Sequence, residues 1–228
     1  MPDFVCVGAQ KSGTTWIYEQ IRAHPQVFMN HKEFDHFFRS TDLELYSKNF
    51  DHIPSGMICG DISPNYAAFE AVSDSIHNAC PDTLILHILR NPVDRAFSQW
   101  KMARHLGNIP RDVSFLDAFR NNLQYMKRRG QYADIIREYA RFFPLNDRSA
   151  VFWYDDIVRQ PVNLLKKISS FIRIDPTWRS PHLDNIVWPS PEPGTIRHED
   201  AIEVGCYYEP FDDQLRILLG VQQLPWDR

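Results

Sequence analysis

The stretch Phe4-Val5-Cys6-Val7-Gly8-Ala9-Gln10-Lys11-Ser12-Gly13-Thr14-Thr15-Trp16 constrains this chain more than any other. Its first four residues form an apolar run of strand character. Trp16, Ile17, Gln20 and Ile21 then recur at the spacing of one inward helix face. Between strand and helix lies a loop holding two glycines, a lysine and three hydroxyls. A strand, a glycine loop and a helix N-terminus together make an anion site. The first helical N–H groups lack partners there, and the helix dipole is positive at that end. A plain β–α turn has no use for the donors of Lys11, Ser12, Thr14 and Thr15, so the loop reads as a cradle for phosphate or sulfate.

Four residues separate Gly8 from Gly13, as in the G-x-x-x-x-G-K-[ST] nucleotide loop. The lysine, however, stands inside the loop at Lys11, and Thr14 and Thr15 follow the second glycine. A nucleoside triphosphatase needs the later lysine on the β- and γ-phosphates and a hydroxyl on Mg²⁺. This loop keeps the backbone cradle and moves the charge. An ordinary ATPase or GTPase is a poor fit.

At 228 residues the chain can bury one substantial core, and a single domain over residues 1–228 is expected. A net charge of −4 argues against a general nucleic-acid partner while leaving room for a local basic pocket. The four cysteines have no C-x-x-C spacing, and Cys6 and Cys59 lie in apolar runs. That pattern predicts reduced, buried thiols and a cytoplasmic protein. No apolar stretch approaches the ~20 residues of a membrane span. The first strand begins near residue 4, which leaves no room for a leader.

Further along, Val27 to Met29 predicts a short strand after the helix stop at His24-Pro25, and Asp42 to Phe50 a helix. Met57 to Asp61 predicts a strand, Ile62 to Tyr66 a turn, and Tyr66 to Asn78 a helix. Thr83 to Leu89 is a near-continuous apolar run, as in a central parallel strand covered on both faces. It ends at Arg90-Asn91-Pro92, with Pro92 suited to open a helix reaching about His105. Helices are expected at roughly 113–127, 131–143 and 161–172. A strand over Ala150 to Tyr154 is closed by Asp155 and Asp156, and an irregular proline-rich segment runs from Pro176 to Glu199. The stretch from Tyr207 to Gly220 ends in a helix with Leu215, Leu218 and Leu219 inward. Alternating strands and helices imply an α/β fold, a three-layer α/β/α sandwich around a central parallel sheet. Ligands of such sheets bind at the carboxyl ends of the strands, where the loops after Val7, Asp61, Leu89 and Tyr154 should meet.

Two segments together resemble the sulfotransferase family that uses 3′-phosphoadenosine 5′-phosphosulfate (PAPS), in its bacterial and heparan-sulfate-type branch. Lys11-Ser12-Gly13-Thr14-Thr15-Trp16 resembles the 5′-phosphosulfate loop of that family. Arg90-Asn91-Pro92-Val93-Asp94-Arg95-Ala96-Phe97-Ser98 resembles its 3′-phosphate motif, R-[ND]-P-x-[DE]-x-x-x-S. Weaker likenesses are Lys32-Glu33-Phe34-Asp35-His36-Phe37, Gly60 to Tyr66, Gly130-Gln131-Tyr132, Trp153 to Asp156, and Tyr208 to Phe211. Thr195-Ile196-Arg197-His198 is the counterpart of the family's donor-closing K-G-R-x-H loop, without its lysine and glycine. The resemblance implies a P-loop-like sulfotransferase fold, PAPS as donor and its bisphosphate PAP as product. It also implies a hydroxyl of a small molecule, sugar or lipid as acceptor.

The residues suit that chemistry without a metal. Negative charge grows on the bridging oxygen as sulfate leaves the phosphate, and Lys11 with the loop N–H groups can stabilise it there. Thr14 and Thr15 add hydroxyl bonds to the 5′-phosphate, and Ser12, Gly13 and Trp16 complete the loop. Arg90 can grip the 3′-phosphate bidentately, with Ser98 two turns into the next helix and Arg197 from the closing loop. The resemblance places the base that takes the acceptor's proton at Glu33. His36 competes for that role, because histidine serves as base in other branches. Among Phe34, Phe37 and Phe38, Glu33 is expected in partly apolar surroundings that raise its pKa. Asp61 and Ser63 are expected to shape the acceptor side, and Tyr66 and Trp153 serve there or in the core. Arg104, His105 and the run Lys127-Arg128-Arg129 read either as attraction for an anionic acceptor or as a solvated helix end. A P-loop kinase-like phosphotransferase or a non-catalytic nucleotide-binding module is the alternative. The displaced lysine and the Arg90–Ser98 pair favour the sulfotransferase.

Overall fold

The computed structural model describes residues 1–183 and 194–227. Strand β1 (Phe4–Gly8) is buried along its whole length. It pairs in parallel with β3 (Ile58–Ile62) on one side and β4 (Leu84–Leu89) on the other. β2 (Val27–Phe28) extends the sheet beyond β3, and β5 (Ser149–Trp153) extends it beyond β4. The result is a five-stranded, wholly parallel sheet in the order β2-β3-β1-β4-β5.

Alternation along the strands sorts the core into two layers. Phe4, Cys6, Leu84, Leu86 and Ile88 pack on one side with Ile17 and Ile21 of α1 (Thr14–Arg22) and Leu164 and Ile168 of α8 (Pro161–Phe171). Val5, Val7, Ile85 and Leu89 pack on the other with Val72 and Ile76 of α3 (Ala71–Ala79) and Ile136 and Tyr139 of α6 (Tyr132–Ala140). Helices on both faces explain why β4 is apolar apart from His87. That ring lies 5.4 Å from the Tyr139 ring, and burial pushes its pKa down to about 3, so it stays neutral. A third cluster joins α4 (Pro92–His105), α5 (Phe115–Arg120) and α9 (His198–Leu219) through Ala96, Ala103, Phe115, Phe119, Val204 and Tyr208.

After β1 the chain builds β2 and β3 on one side, then crosses to build β4 and β5 on the other. The loops leaving β1 and β4 therefore diverge, opening a crevice at the carboxyl end of the sheet. Pro92 opens α4, and the Asn91 side chain caps it by accepting from the amides of Val93 (2.9 Å) and Asp94 (3.3 Å).

The helix expected over 42–50 forms as α2 (Leu43–Ser47) followed by a 3₁₀ turn at Lys48–Phe50, whereas several other elements differ from expectation. The helix expected over 66–78 splits into a 3₁₀ turn at Tyr66–Ala68, an extended Phe69, and α3 from Ala71. The turn delivers the Tyr66 hydroxyl to Asp61 at 2.9 Å. The helix expected over 113–127 stops at Arg120, because Asn122, Gln124 and Tyr125 take left-handed φ of 51°, 55° and 56°. Long-range partners hold that turn: Gln99 donates to the Gln124 carbonyl (2.8 Å), and Arg95 and Tyr208 donate to that of Met126 (2.6 and 3.0 Å). Asp155 and Asp156 do not close a strand. They sit in the first turn of α7 (Tyr154–Arg159), where carboxylates suit the helix dipole. The C-terminal helix begins at His198 and runs through Pro210, with Leu215 buried and Leu218 and Leu219 packed beside it. The irregular proline-rich segment lies partly outside the described residues.

Candidate active site

The loop leaving β1 is shaped by positions that exclude side chains. Gly8 has φ 132°, and a Cβ there would lie 2.9 Å from the Pro64 carbonyl oxygen. Gly13 has φ 86°, and a Cβ there would run into Ile157 and meet the Tyr154 ring at 3.1 Å. Lys11 is left-handed as well, at φ 69°, a conformation costing a non-glycine residue about 1 kcal/mol or more. Gly13 is the N-cap of α1 and brings no side chain to it, so no side chain caps the first-turn N–H groups. Thr15 is half-buried and Thr14 buried, and Ser12 is fully buried beside the Tyr132 hydroxyl. The Trp16 indole packs into the core with Cys6 and Ile17, so what this residue offers the loop is its main chain.

Arg90, at the end of β4, donates from Nη1 to the Lys11 carbonyl oxygen at 3.0 Å. Its guanidinium lies over the Tyr154 ring, 4.3 Å from the centroid, and its own carbonyl accepts from the Tyr132 hydroxyl at 2.8 Å. Tyr154 therefore packs against Gly13 and also flanks Arg90. Positive charge gathers here. Burial lowers the Lys11 pKa from the ordinary lysine value, and Arg90, Lys32 and Lys101 lower it further, while Glu33 opposes them. Three motifs distant in sequence thus bring Lys11, Lys32, Glu33 and Arg90 together. Ser98 is half-buried on α4. Arg197 does not join this group: its exposed guanidinium is tied to Asp200 at 2.8 and 3.0 Å.

Across the crevice, Asp61 is a buried carboxylate with hydroxyl partners rather than an ion pair. It accepts from Ser63 (2.5 Å), Tyr66 (2.9 Å) and Tyr46 (2.9 Å), and burial nevertheless pushes its pKa up to about 6. The same hydroxyls pin the segment that carries Glu33 and His36. Ser63 Oγ accepts from the Asp35 amide and Tyr66 Oη from the His36 amide, both at 3.0 Å, while the Glu33 amide donates to the Ile62 carbonyl at 3.1 Å. Glu33 and Asp35 both adopt left-handed φ, 65° and 53°.

The partly apolar setting expected for Glu33 is not what surrounds it. Phe34 and Phe37 pack onto Tyr46, whereas the Glu33 carboxylate is 38% exposed and forms an ion pair with Lys32. His36 is buried, its ring stacked on Tyr46 at 4.9 Å, and burial lowers its pKa from the ordinary histidine value. The buried carboxylate with a raised pKa in this segment is Asp35.

Asp35 Oδ2 accepts from Asn65 at 2.8 Å, and Asn65 Oδ1 accepts from Arg129 (2.9 Å) and from Gln10 of the β1 loop (3.2 Å). One amide thus joins the donor-side loop, the Glu33 segment and a guanidinium. Arg129 is 6% exposed, and burial pushes its pKa down to about 10. Sequence assigned Asn65 no role beyond its turn and named Arg129 only as part of the run Lys127-Arg128-Arg129. The basic run offered a signal, but Arg128 is paired to Glu138 and Arg129 is buried, so the run is no solvated helix end.

Among the described residues no group of three or more His, Cys, Asp or Glu side chains could hold a metal ion. No described helix is long and apolar enough to cross a membrane. Cys6, Cys59 and Cys80 are buried thiols, Cys206 is exposed, and none forms a disulfide.

Comparison with known proteins agrees with this arrangement. The sulfotransferase domain family matches residues 1–188. Heparan sulfate glucosamine 3-O-sulfotransferase 6 of Mus musculus is 30% identical over 180 residues, covering 75% of this chain and 52% of that protein. The 3B1 enzyme of the same series from Mus musculus is 26% identical over 184 residues, covering 75% of this chain and 46% of its own. The chain thus spans about half the length of these relatives. Among solved structures, a sulfotransferase from Alicyclobacillus acidocaldarius superposes with a TM-score of 0.86 at 22% identity, over 100% of this chain and 99% of its own. Mouse sulfotransferase SULT7A1 complexed with PAP superposes with a TM-score of 0.54 at 24% identity, over 76% of this chain and 59% of its own. With the family's domain matched over residues 1–188, the chain belongs to the sulfotransferase domain family.

Proposed function

We propose that the chain transfers a sulfuryl group from PAPS to a hydroxyl of a small-molecule, sugar or lipid acceptor, leaving PAP. The observation that carries this reading is the convergence of Lys11, Arg90 and Lys32 on a glycine-shaped loop before an uncapped helix. A half-buried cluster of cations needs a multiply charged anion, and PAPS carries a phosphosulfate and a separate 3′-phosphate. In this reading the loop N–H groups with Ser12, Thr14 and Thr15 hold the 5′-phosphate, and Arg90 and Ser98 hold the 3′-phosphate. Lys11 faces the bridging oxygen, where charge develops as the S–O bond breaks. Arg197 reaches the donor only by exchanging Asp200 for a donor phosphate.

Glu33 is the proposed proton acceptor. Its carboxylate pairs with Lys32 and stands on the Lys11 side of the crevice. An arriving sulfate competes for the Lys32 ammonium and frees the carboxylate for the acceptor hydroxyl. His36, stacked in the core, is the lesser candidate.

Thermal-shift ranking of PAP against ATP, with and without Mg²⁺, tests the reading. PAP should stabilise the fold most and do so without metal. Stronger stabilisation by Mg²⁺-ATP, or sulfuryl transfer abolished by EDTA, would favour a kinase-like phosphotransferase instead.

A further inference from the structure

Lys101 lies on α4 one turn beyond Ser98. It is 9% exposed, yet among the described residues no carboxylate pairs with it. The contact made by its ammonium is with the Phe97 ring, 4.9 Å from the centroid. Other buried cations nearby each have at least one hydrogen-bond acceptor. Arg95 donates to Gln99 and the Met126 carbonyl, Arg129 to Asn65 and the Gln124 carbonyl, and Arg128 to Glu138. A lysine whose stem is covered and whose ammonium has neither an anion nor a hydrogen-bond acceptor leaves that charge for a ligand to pair with.

Its direction narrows the ligand. The core-facing stripe of α4 is Pro92, Arg95, Ala96, Gln99 and Ala103. At 3.6 residues per turn Lys101 lies away from that stripe and about 60° around the helix from Ser98. After burial, Arg90 and Lys32, its charge is a further influence that lowers the Lys11 pKa, so it acts on the same crevice.

We propose that Lys101 is a donor-binding residue that pairs, beside Arg90 and Ser98, with the 3′-phosphate of PAPS and PAP. The proposal rests on the donor reading above. It explains why the helix keeps a cation where the free protein has no use for one, and it gives a phosphate dianion two positive partners in place of one.

The consequence is a pair of opposite effects from one substitution. Lys101→Met removes an uncompensated charge from the free protein, which should melt at the same or a higher temperature. The same change should weaken PAP binding about tenfold or more, leave adenosine 5′-monophosphate binding unaltered, and flatten the salt dependence of PAP affinity. Lys101→Arg should keep most of the preference for PAP. Calorimetric titration of wild type and both variants with the two nucleotides decides the matter. If wild type does not prefer PAP to the monophosphate, the donor reading itself fails. If wild type prefers PAP and Lys101→Met retains that preference in full, Lys101 is not a 3′-phosphate partner and the donor reading stands. A free Lys101→Met protein that is destabilised and loses both nucleotides equally overturns the proposal in favour of a packing role.

Discussion

The Arg90 guanidinium donates to the main-chain carbonyl oxygen of Lys11 at 3.0 Å, joining residues 79 apart in sequence. This bond ties the end of β4 to the left-handed residue of the β1 loop, and Tyr154 and Tyr132 brace it from either side. Arg90 therefore orders the loop with one N–H and keeps others for a ligand. In the proposed function this bond would couple the binding of the donor's two ends, since whatever moves Arg90 also moves the Lys11 carbonyl.

Arg90→Lys keeps the charge and loses the planar fork. It should abolish most of the extra stabilisation that PAP gives over adenosine 5′-monophosphate, because a lysine cannot bond the Lys11 carbonyl and grip a phosphate bidentately together. Each charge-assisted bond lost corresponds to roughly 1.5–3 kcal/mol. Thermal shifts with the two nucleotides measure this, and an undiminished PAP preference would remove Arg90 from the 3′-phosphate.

Lys11→Ala should lower turnover by at least about 10²-fold, the scale of one lost transition-state donor. Donor affinity should fall less, since charge on the bridging oxygen appears only during transfer. The lowered Lys11 pKa sets the pH dependence: the required ammonium is lost on the alkaline side, below the ordinary lysine value of about 10.4. The alkaline limb of kcat/KM should therefore appear early in wild type and be missing from Lys11→Ala. Turnover that survives within a few-fold would make Lys11 a ground-state phosphate contact.

The parts of this fold that were legible in sequence are those written locally. β1, its glycine loop and α1, and β4 with Arg90, Asn91 and Pro92, announce themselves by apolar runs, a glycine at each sharp turn, and a cap beside a helix-opening proline. Arg129 was legible only as one member of a basic run, and not as a buried residue bonded to Asn65. Its burial depends on a left-handed turn at 122–125 and on Asn65, 64 residues away. Glu33 misled for a related reason. Its phenylalanine neighbours are apolar, but their rings pack onto Tyr46 while its own carboxylate turns to Lys32. Neighbours in sequence gave the composition of the surroundings, and the backbone decided which side chain entered them.

Asp61 gives a prediction about stability. Its pKa is about 6 in the folded chain, against an ordinary value of 3.8. A carboxyl raised in this way contributes stability through its bound proton below about pH 4, and that contribution is lost as pH rises through 6. The gap corresponds to about 3 kcal/mol. Asp61→Asn cannot titrate, so its hydrogen-bond changes shift stability by a constant amount. The difference in unfolding free energy between wild type and Asp61→Asn should move in favour of the asparagine variant between pH 4 and pH 7. A flat difference across that range would mean that the hydroxyls of Ser63, Tyr66 and Tyr46 offset the burial fully.

The proton acceptor is tested by ranking two variants. Glu33 faces the Lys11 side and pairs with Lys32, whereas His36 is stacked on Tyr46 with its amide bound to the Tyr66 hydroxyl. Glu33→Gln keeps the shape and removes the base, so turnover at saturating donor should fall by about 10²–10⁴-fold with PAP affinity retained. His36→Gln should cost much less, and its deficit should track a lowered melting temperature, because the ring serves packing. Lys32→Met separates the two roles of the ion pair: it should weaken donor binding through the lost cation while leaving the Glu33 carboxylate able to take a proton. If His36→Gln is the more damaging variant at an unchanged melting temperature, the base is His36. The stacking on Tyr46 would then have to open during the reaction.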